Sequence, residues 1–199
     1  MARHSNRQVL LSAGLRVMFR QGFNGATVRD IVTTAGVPQG CFTNHFPSKE
    51  QFGKEVLDQY FEHIQGLLRD SLDVCTVSPR ARLERYLDLV IERLRADGFK
   101  RGCLIGDLSL EVTQSSDLIR RCLQSVFQEW LRPFAECIAE GQQLGEFSKE
   151  FEASELAEFF ISSWEGAILR MKVERSIAPL ERFRRVFFSM AMPSGDEHA

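Results

Sequence analysis

Residues 27–50, Thr27-Val-Arg-Asp-Ile-Val-Thr-Thr-Ala-Gly-Val-Pro-Gln-Gly-Cys-Phe-Thr-Asn-His-Phe-Pro-Ser-Lys-Glu50, read as two short helices joined by a tight turn. Thr27 with Asp30 three residues later offers an N-cap and an acid in the first turn, and Val28, Ile31 and Val32 fall on one helical face. Gly36 can take the left-handed conformation that ends the first helix, and Pro38 suits the first turn of a second. That second helix, over 39–46, buries Phe42 and Phe46 and presents Gln39, Gly40, Thr43, Asn44 and His45. Small, amide and hydroxyl groups on a short helix fit the DNA major groove, where acidic surface is repelled by phosphate. The spacing alone is equally that of an ordinary helical hairpin.

Charge favours the nucleic-acid reading. Within residues 1–50 the bases Arg3, Arg7, Arg16, Arg20, Arg29 and Lys49 face only Asp30 and Glu50, a balance of +4, while the remainder carries −6 and the whole chain −2. A basic first quarter on a mildly acidic protein is the footprint of one small module that meets phosphate. The expected DNA contacts are Thr27, Val28, Arg29, Pro38, Gln39, Gly40, Cys41, Thr43, Asn44, His45 and Lys49.

This segment resembles the TetR family of bacterial transcription repressors. The likeness runs from a helix over 6–19 through Gly22-Phe23, Thr27, Ile31, Ala35-Gly36-Val37, Gly40 and His45-Phe46 to Ser48-Lys49-Glu50. One departure stands out: Thr43 replaces a Tyr that in the family commonly contacts DNA, which shifts that contact to a shorter hydroxyl or to Asn44 or His45. The resemblance implies a homodimer on a palindromic double-stranded DNA operator, released by a small-molecule or electrophile inducer.

The rest of the chain reads as helix. With 199 residues, 44% hydrophobic and 26% charged, it has material for a sizeable core. Apolar periodicity predicts helices over 48–71, from Pro79 to a stop at Asp97-Gly98, over 103–112, from Asp117 to about Gly141, over 153–176 and over 179–190, with a bend or break at Pro133. The expected class is all-α, about nine helices, with a three-helix DNA-binding domain at 1–47, a larger ligand-sensing and dimerisation domain at 48–192 and a frayed tail at 193–199. No apolar run approaches the roughly 20 residues that span a bilayer and no secretory signal is evident, so no membrane partner and a cytoplasmic location are expected.

Five cysteines, Cys41, Cys75, Cys103, Cys122 and Cys137, are scattered without metal-ligand spacing, so neither a metal nor a cofactor is expected. There is no phosphate loop or nucleophile elbow to suggest an enzyme. Cys103 follows Lys100-Arg101-Gly102, and at a helix start its sulfur would lie near backbone N–H groups and two cations that favour thiolate; a buried structural thiol is the alternative. A second resemblance, carried by Gly102-Cys103-Leu104, Trp164, Gly166-Ala167, Lys172, Ser176 and Pro179-Leu180-Glu181, is to the TetR subgroup typified by the N-ethylmaleimide-responsive repressor. It implies electrophile or oxidant sensing through Cys103 and Lys172.

A non-covalent apolar inducer is the competing expectation, held by Tyr60, Ile64, Leu104, Phe127, Trp130 and Trp164. The wide apolar stripes of the last two helices admit either a core hydrophobic all round or a dimer, which the resemblance to the family implies. The interface is then expected at Phe160, Trp164, Ile168, Phe183 and Phe187. A helical protein-interaction adaptor without DNA affinity is the remaining class.

Overall fold

The computed structural model describes residues 6–193; Arg3 and the expected tail beyond Pro193 lie outside them. The described residues form nine helices and no strand: α1 Asn6–Gly25, α2 Val28–Ala35, α3 Gly40–His45, α4 Lys49–Leu72, α5 Pro79–Ala96, α6 Leu104–Glu111, α7 Asp117–Gln143, α8 Ala153–Glu174 and α9 Ala178–Ala191. The local signals act as read. Ser78 accepts from the Ala81 amide with Pro79 in the first turn of α5, and Ser48 accepts from the Gln51 amide at the start of α4. α7 passes through Pro133 as one element, so the expected break does not occur. Pro removes a single ladder donor, and the burial of Trp130 and Phe134 on either side holds the helix together.

The chain divides into two compact units: residues up to 63 with 104–126, and residues 64–103 with 127 onward. The boundaries fall inside α4 and α7 and between Cys103 and Leu104. In the first unit, Leu10, Ala13 and Val17 of α1, Ile31 of α2 and Phe52 and Val56 of α4 are fully buried. α1 and α4 cross so closely that a Cβ on Gly14 would stand 2.3 Å from the Phe52 ring.

The second unit is built on aromatic rings. Tyr86 meets Phe134 edge-on at 4.9 Å, Phe134 meets Phe160 at 5.1 Å, and Phe160 meets Phe183 and Phe187 at 5.2 and 4.8 Å. Trp164 adds a contact to Phe183 at 5.3 Å. All five residues expected at a dimer interface, Phe160, Trp164, Ile168, Phe183 and Phe187, are therefore no more than 9% exposed inside one protomer. They belong to its own core, because they lie on the α8 and α9 faces that pack on each other and on α5 and α7. The opposite faces remain open: Phe159, Leu169, Val173, Val186 and Met190 are each 43% to 77% exposed.

This division is testable. Phe160→Ala is expected to lower the unfolding free energy by about 3–5 kcal/mol, and Leu110→Ala, at an 80% exposed position, by no more than about 0.5 kcal/mol, in denaturant titrations.

Candidate nucleic-acid interface

Helix α2 is set by its cap. The Thr27 hydroxyl accepts from the Asp30 amide at 3.1 Å and donates to Asp30 Oδ2 at 2.6 Å, while that carboxylate accepts from the Thr27 amide at 3.3 Å. The Thr27 side chain and then its backbone hold the Asp30 carboxyl below its usual range. Gly36 closes the helix at φ 67°, with its amide donating to Val32 and Thr33 carbonyls. The tight turn then delivers α3.

Only six residues long, α3 is fastened by rings. Phe42 and Phe46 are 3% and 2% exposed, with centroids 5.0 and 4.7 Å from Phe52 of α4. The outward face carries Gln39, Gly40, Thr43, Asn44 and His45, all exposed, with Thr27, Arg29 and Pro38 exposed beside it and Val28 and Cys41 half-buried. The Thr43 hydroxyl donates to the Gly40 carbonyl at 3.1 Å, so in this conformation it serves its own helix. The Asn6 amide reaches the Cys41 sulfur at 3.7 Å and ties the start of α1 to α3.

Two of the bases counted from sequence are engaged inside the module. Arg7 pairs with Glu55 and stands over the Phe46 ring. Lys49 donates to the Asn24 carbonyl at 3.2 Å and lies 4.7 Å over the Phe23 ring; burial lowers its pKa, partly countered by Glu111. Arg16, Arg20 and Arg29 are exposed. Sequence reasoning missed Glu111 altogether: it accepts hydrogen bonds from the Phe23 and Asn24 amides, 88 and 87 residues away. No local pattern marks such a pairing; the one sequence cue was the glycine at position 22.

In the second unit Cys103 is 7% exposed and sits one residue before α6, at a cap position rather than inside the helix. Lys100 is exposed, and Arg101 binds Asp97 through its amide and Nε, both at 2.7 Å. Burial alone raises the Asp97 pKa, but these Arg101 bonds outweigh it and the net shift is downward. Lys172 of α8, the lysine that the resemblance implies, lies along Gly102, its Cδ and Nζ 3.4 and 3.9 Å from where a Gly102 Cβ would stand. Cys137 is buried as well, and burial pushes its thiol up to about 12 although the Arg82 guanidinium acts in the other direction.

The six expected pocket residues are split between the units, Tyr60 and Leu104 in the first and Ile64, Phe127, Trp130 and Trp164 in the second. Phe127 and Trp130 stack at 6.2 Å, and Trp130 and Trp164 are buried. The apolar groove in the second unit involves none of the six; it encloses about 230 Å³ between Phe151, Leu156, Phe159, Phe187, Met190 and Ala191.

Two family models match the chain: "Bacterial regulatory proteins, tetR family" over residues 10–56 and "Tetracyclin repressor-like, C-terminal domain" over 79–187. The chain belongs to the TetR family. It is 43% identical to the HTH-type transcriptional repressor DhaR of Mycobacterium sp. (strain GP1), over 98% of this chain and 96% of that one. A crystal structure of a TetR regulatory protein from Rhodobacter sphaeroides aligns with a TM-score of 0.90 at 34% identity, covering 94% of this chain and 99% of that one. The repressor NemR of Escherichia coli (strain K12) is 28% identical over 89% of both chains. Its reduced-form crystal structure aligns with a TM-score of 0.85 at 25% identity, covering 96% of this chain and all of that one. This TetR protein is a helix-turn-helix transcriptional repressor, and its relatives are regulators rather than enzymes. Among the described residues no helix is long and apolar enough to cross a membrane.

On a palindromic duplex selected by the protein from random DNA, Arg29→Ala is expected to weaken binding to all sequences alike and reduce the salt slope of log affinity by about 1. Gln39→Ala and Asn44→Ala are expected to change which bases are preferred. Base-preference profiles and salt titrations check both.

Proposed function

We propose that the chain acts as a cytoplasmic homodimer that represses transcription from a palindromic operator and lets go when an electrophile or oxidant modifies Cys103. The DNA contacts are those of the exposed face from Thr27 to His45, with Lys49 bracing the module from within. Two such faces on a symmetric dimer, spaced about 34–36 Å or a multiple apart, read both half-sites.

The dimer is assigned to the open faces of α8 and α9. Phe159, Ser162, Gly166, Leu169 and Val173 recur at alternating steps of three and four, and all five are exposed. That is the seam of a helix pair, with Ser162 and Gly166 small enough for close approach. Val186 and Met190 continue the apolar surface on α9.

The sensing reading is carried by one observation, the Lys172 side chain laid along Gly102 next to Cys103. A cation there favours the thiolate. The thiolate adds to the alkene of N-ethylmaleimide, and the α-carbon takes a proton from water. With hypochlorite the sulfur is first chlorinated, releasing hydroxide; the deprotonated Lys172 amine then displaces chloride and loses a proton, leaving a sulfur–nitrogen bond. An inducer weakens operator binding only as far as it favours the non-binding conformation, so a hundredfold loss requires about 2.7 kcal/mol of differential stabilisation.

Leu169→Glu and Val186→Glu are expected to give folded monomers at micromolar concentration with greatly weakened operator binding, read by sedimentation and anisotropy. A stable dimer after both changes refutes this interface. Hypochlorite or N-ethylmaleimide is expected to release wild type from the selected duplex but not Cys103→Ser, and Lys172→Ala is expected to blunt the hypochlorite response. Normal release of Cys103→Ser with loss of response in Cys41→Ser moves the reactive thiol to α3, where an adduct blocks the groove directly.

A further inference from the structure

α1 is broken near its end. Gly22 takes φ 72° and ψ 175° within the helical span, and the two amides that follow turn toward α6. One side chain collects both. The carboxylate of Glu111, the last residue of α6, accepts the Phe23 N–H on Oε2 and the Asn24 N–H on Oε1, each at 2.7 Å. The Glu111 carbonyl also receives the Asn24 side-chain amide at 3.5 Å. Short bonds to an ionised acceptor are about twice as strong as neutral ones, and a fork on two consecutive amides fixes direction as well as distance.

The glycine is required twice over. Its φ lies in the left-handed region, and a Cβ there would stand 2.7–3.0 Å from the Glu111 carboxylate. Across the same turn Lys49, the first residue of α4, donates to the Asn24 carbonyl and covers the Phe23 ring. That ring fills the space above Gly53, where a Cβ would lie 2.4 Å from it. Residues 22–24 thus join the end of α1, the start of α4 and the end of α6, all within the first unit.

We propose that Glu111 is a positioning residue for operator binding. Its carboxylate holds the 22–24 turn, and through that turn the placement of α1 and of Lys49. α1 packs on α2 and α3, so its placement sets the presentation of the reading face. With the fork removed, the turn samples other conformations and the docking-competent arrangement becomes a fraction of the population. Apparent operator affinity falls by that fraction. Glu111 makes no DNA contact in this account, so the number of phosphates neutralised is unchanged. The proposal rests on the shown DNA binding and is independent of the sensing reading.

The test uses full-length Glu111→Gln and Glu111→Ala on the duplex selected by wild type. Glu111→Gln keeps the shape and one acceptor but sets an amide N–H against a backbone N–H. Expected are an operator affinity reduced about threefold in Glu111→Gln and about tenfold in Glu111→Ala, with the salt slope at the wild-type value. Amide exchange at Phe23 and Asn24 is expected to rise about tenfold or more while that at Leu10 and Val17 holds. Wild-type affinity in both variants overturns the proposal. So does a reduced salt slope, which would make Glu111 part of the DNA contact surface, or unchanged exchange at the two amides. An affinity loss matched by lost helix content reduces Glu111 to structural glue and also overturns it. If Glu111→Ala does not fold, Glu111→Gln decides by the same criteria.

Discussion

A helix of six residues cannot hold itself in water. Nucleation fixes several residues before a hydrogen bond is gained, and isolated helices below about 12 residues are marginal. α3 carries the exposed groups proposed to read DNA, and it persists because Phe42 and Phe46 drive two rings against Phe52 of α4. Burying each side chain is worth about 1.5–3 kcal/mol, enough to offset the ordering of one short helix. Everything outward of those rings is available for recognition, and everything inward constrains its neighbours. Phe52 fills the space over Gly14, so α1 and α4 cannot separate or slide without opening a void under the reading face.

The same economy governs charge. The +4 balance of the first fifty residues locates the module that meets DNA, but it does not enumerate phosphate contacts. Arg7 is spent on Glu55 and the Phe46 ring, and Lys49 on the Asn24 carbonyl and the Phe23 ring. These cations brace the head. Arg16, Arg20 and Arg29 are exposed, so the salt dependence of binding is expected to report fewer contacts per protomer than the composition suggests.

What was legible in the chain follows from the range of each cause. The Thr27–Asp30 box, the left-handed Gly36, the Pro79 start and the inward faces of Phe42 and Phe46 are decided within one or two turns, and each is present as read. Periodicity also finds that α8 and α9 are apolar, but not which partner each face meets. Phe160, Trp164 and Phe183 satisfy their own protomer, and the exposed stripe proposed as the dimer seam runs instead through smaller and less aromatic positions such as Ser162, Gly166 and Leu169. Long-range pairings left only indirect traces, the glycine at position 22 and the resemblance that joins Lys172 to Cys103. Glu111 and Gly22 meet across 89 residues, and Lys172 reaches Gly102 across 70, while the cation expected from the adjacent Arg101 is already bound to Asp97.

The burial of Cys103 shapes how selective sensing would have to work. Cys75 is exposed and Cys41 half-buried, whereas Cys103 is 7% exposed, so access alone directs a soluble reagent elsewhere first. Under the proposed sensing, selectivity for Cys103 must then come from reactivity, and the candidate to supply it is the Lys172 side chain alongside Gly102. Burial acts in the opposite direction and can outweigh a nearby cation: the Cys137 thiol is raised although the Arg82 guanidinium lowers it. Labelling of the protein is consequently a poor guide to signalling: a reagent consumed at Cys75 adds mass without touching either the reading face or α6. Release from the operator is the quantity that distinguishes the thiols, because only modification that costs one conformation more than the other can change affinity.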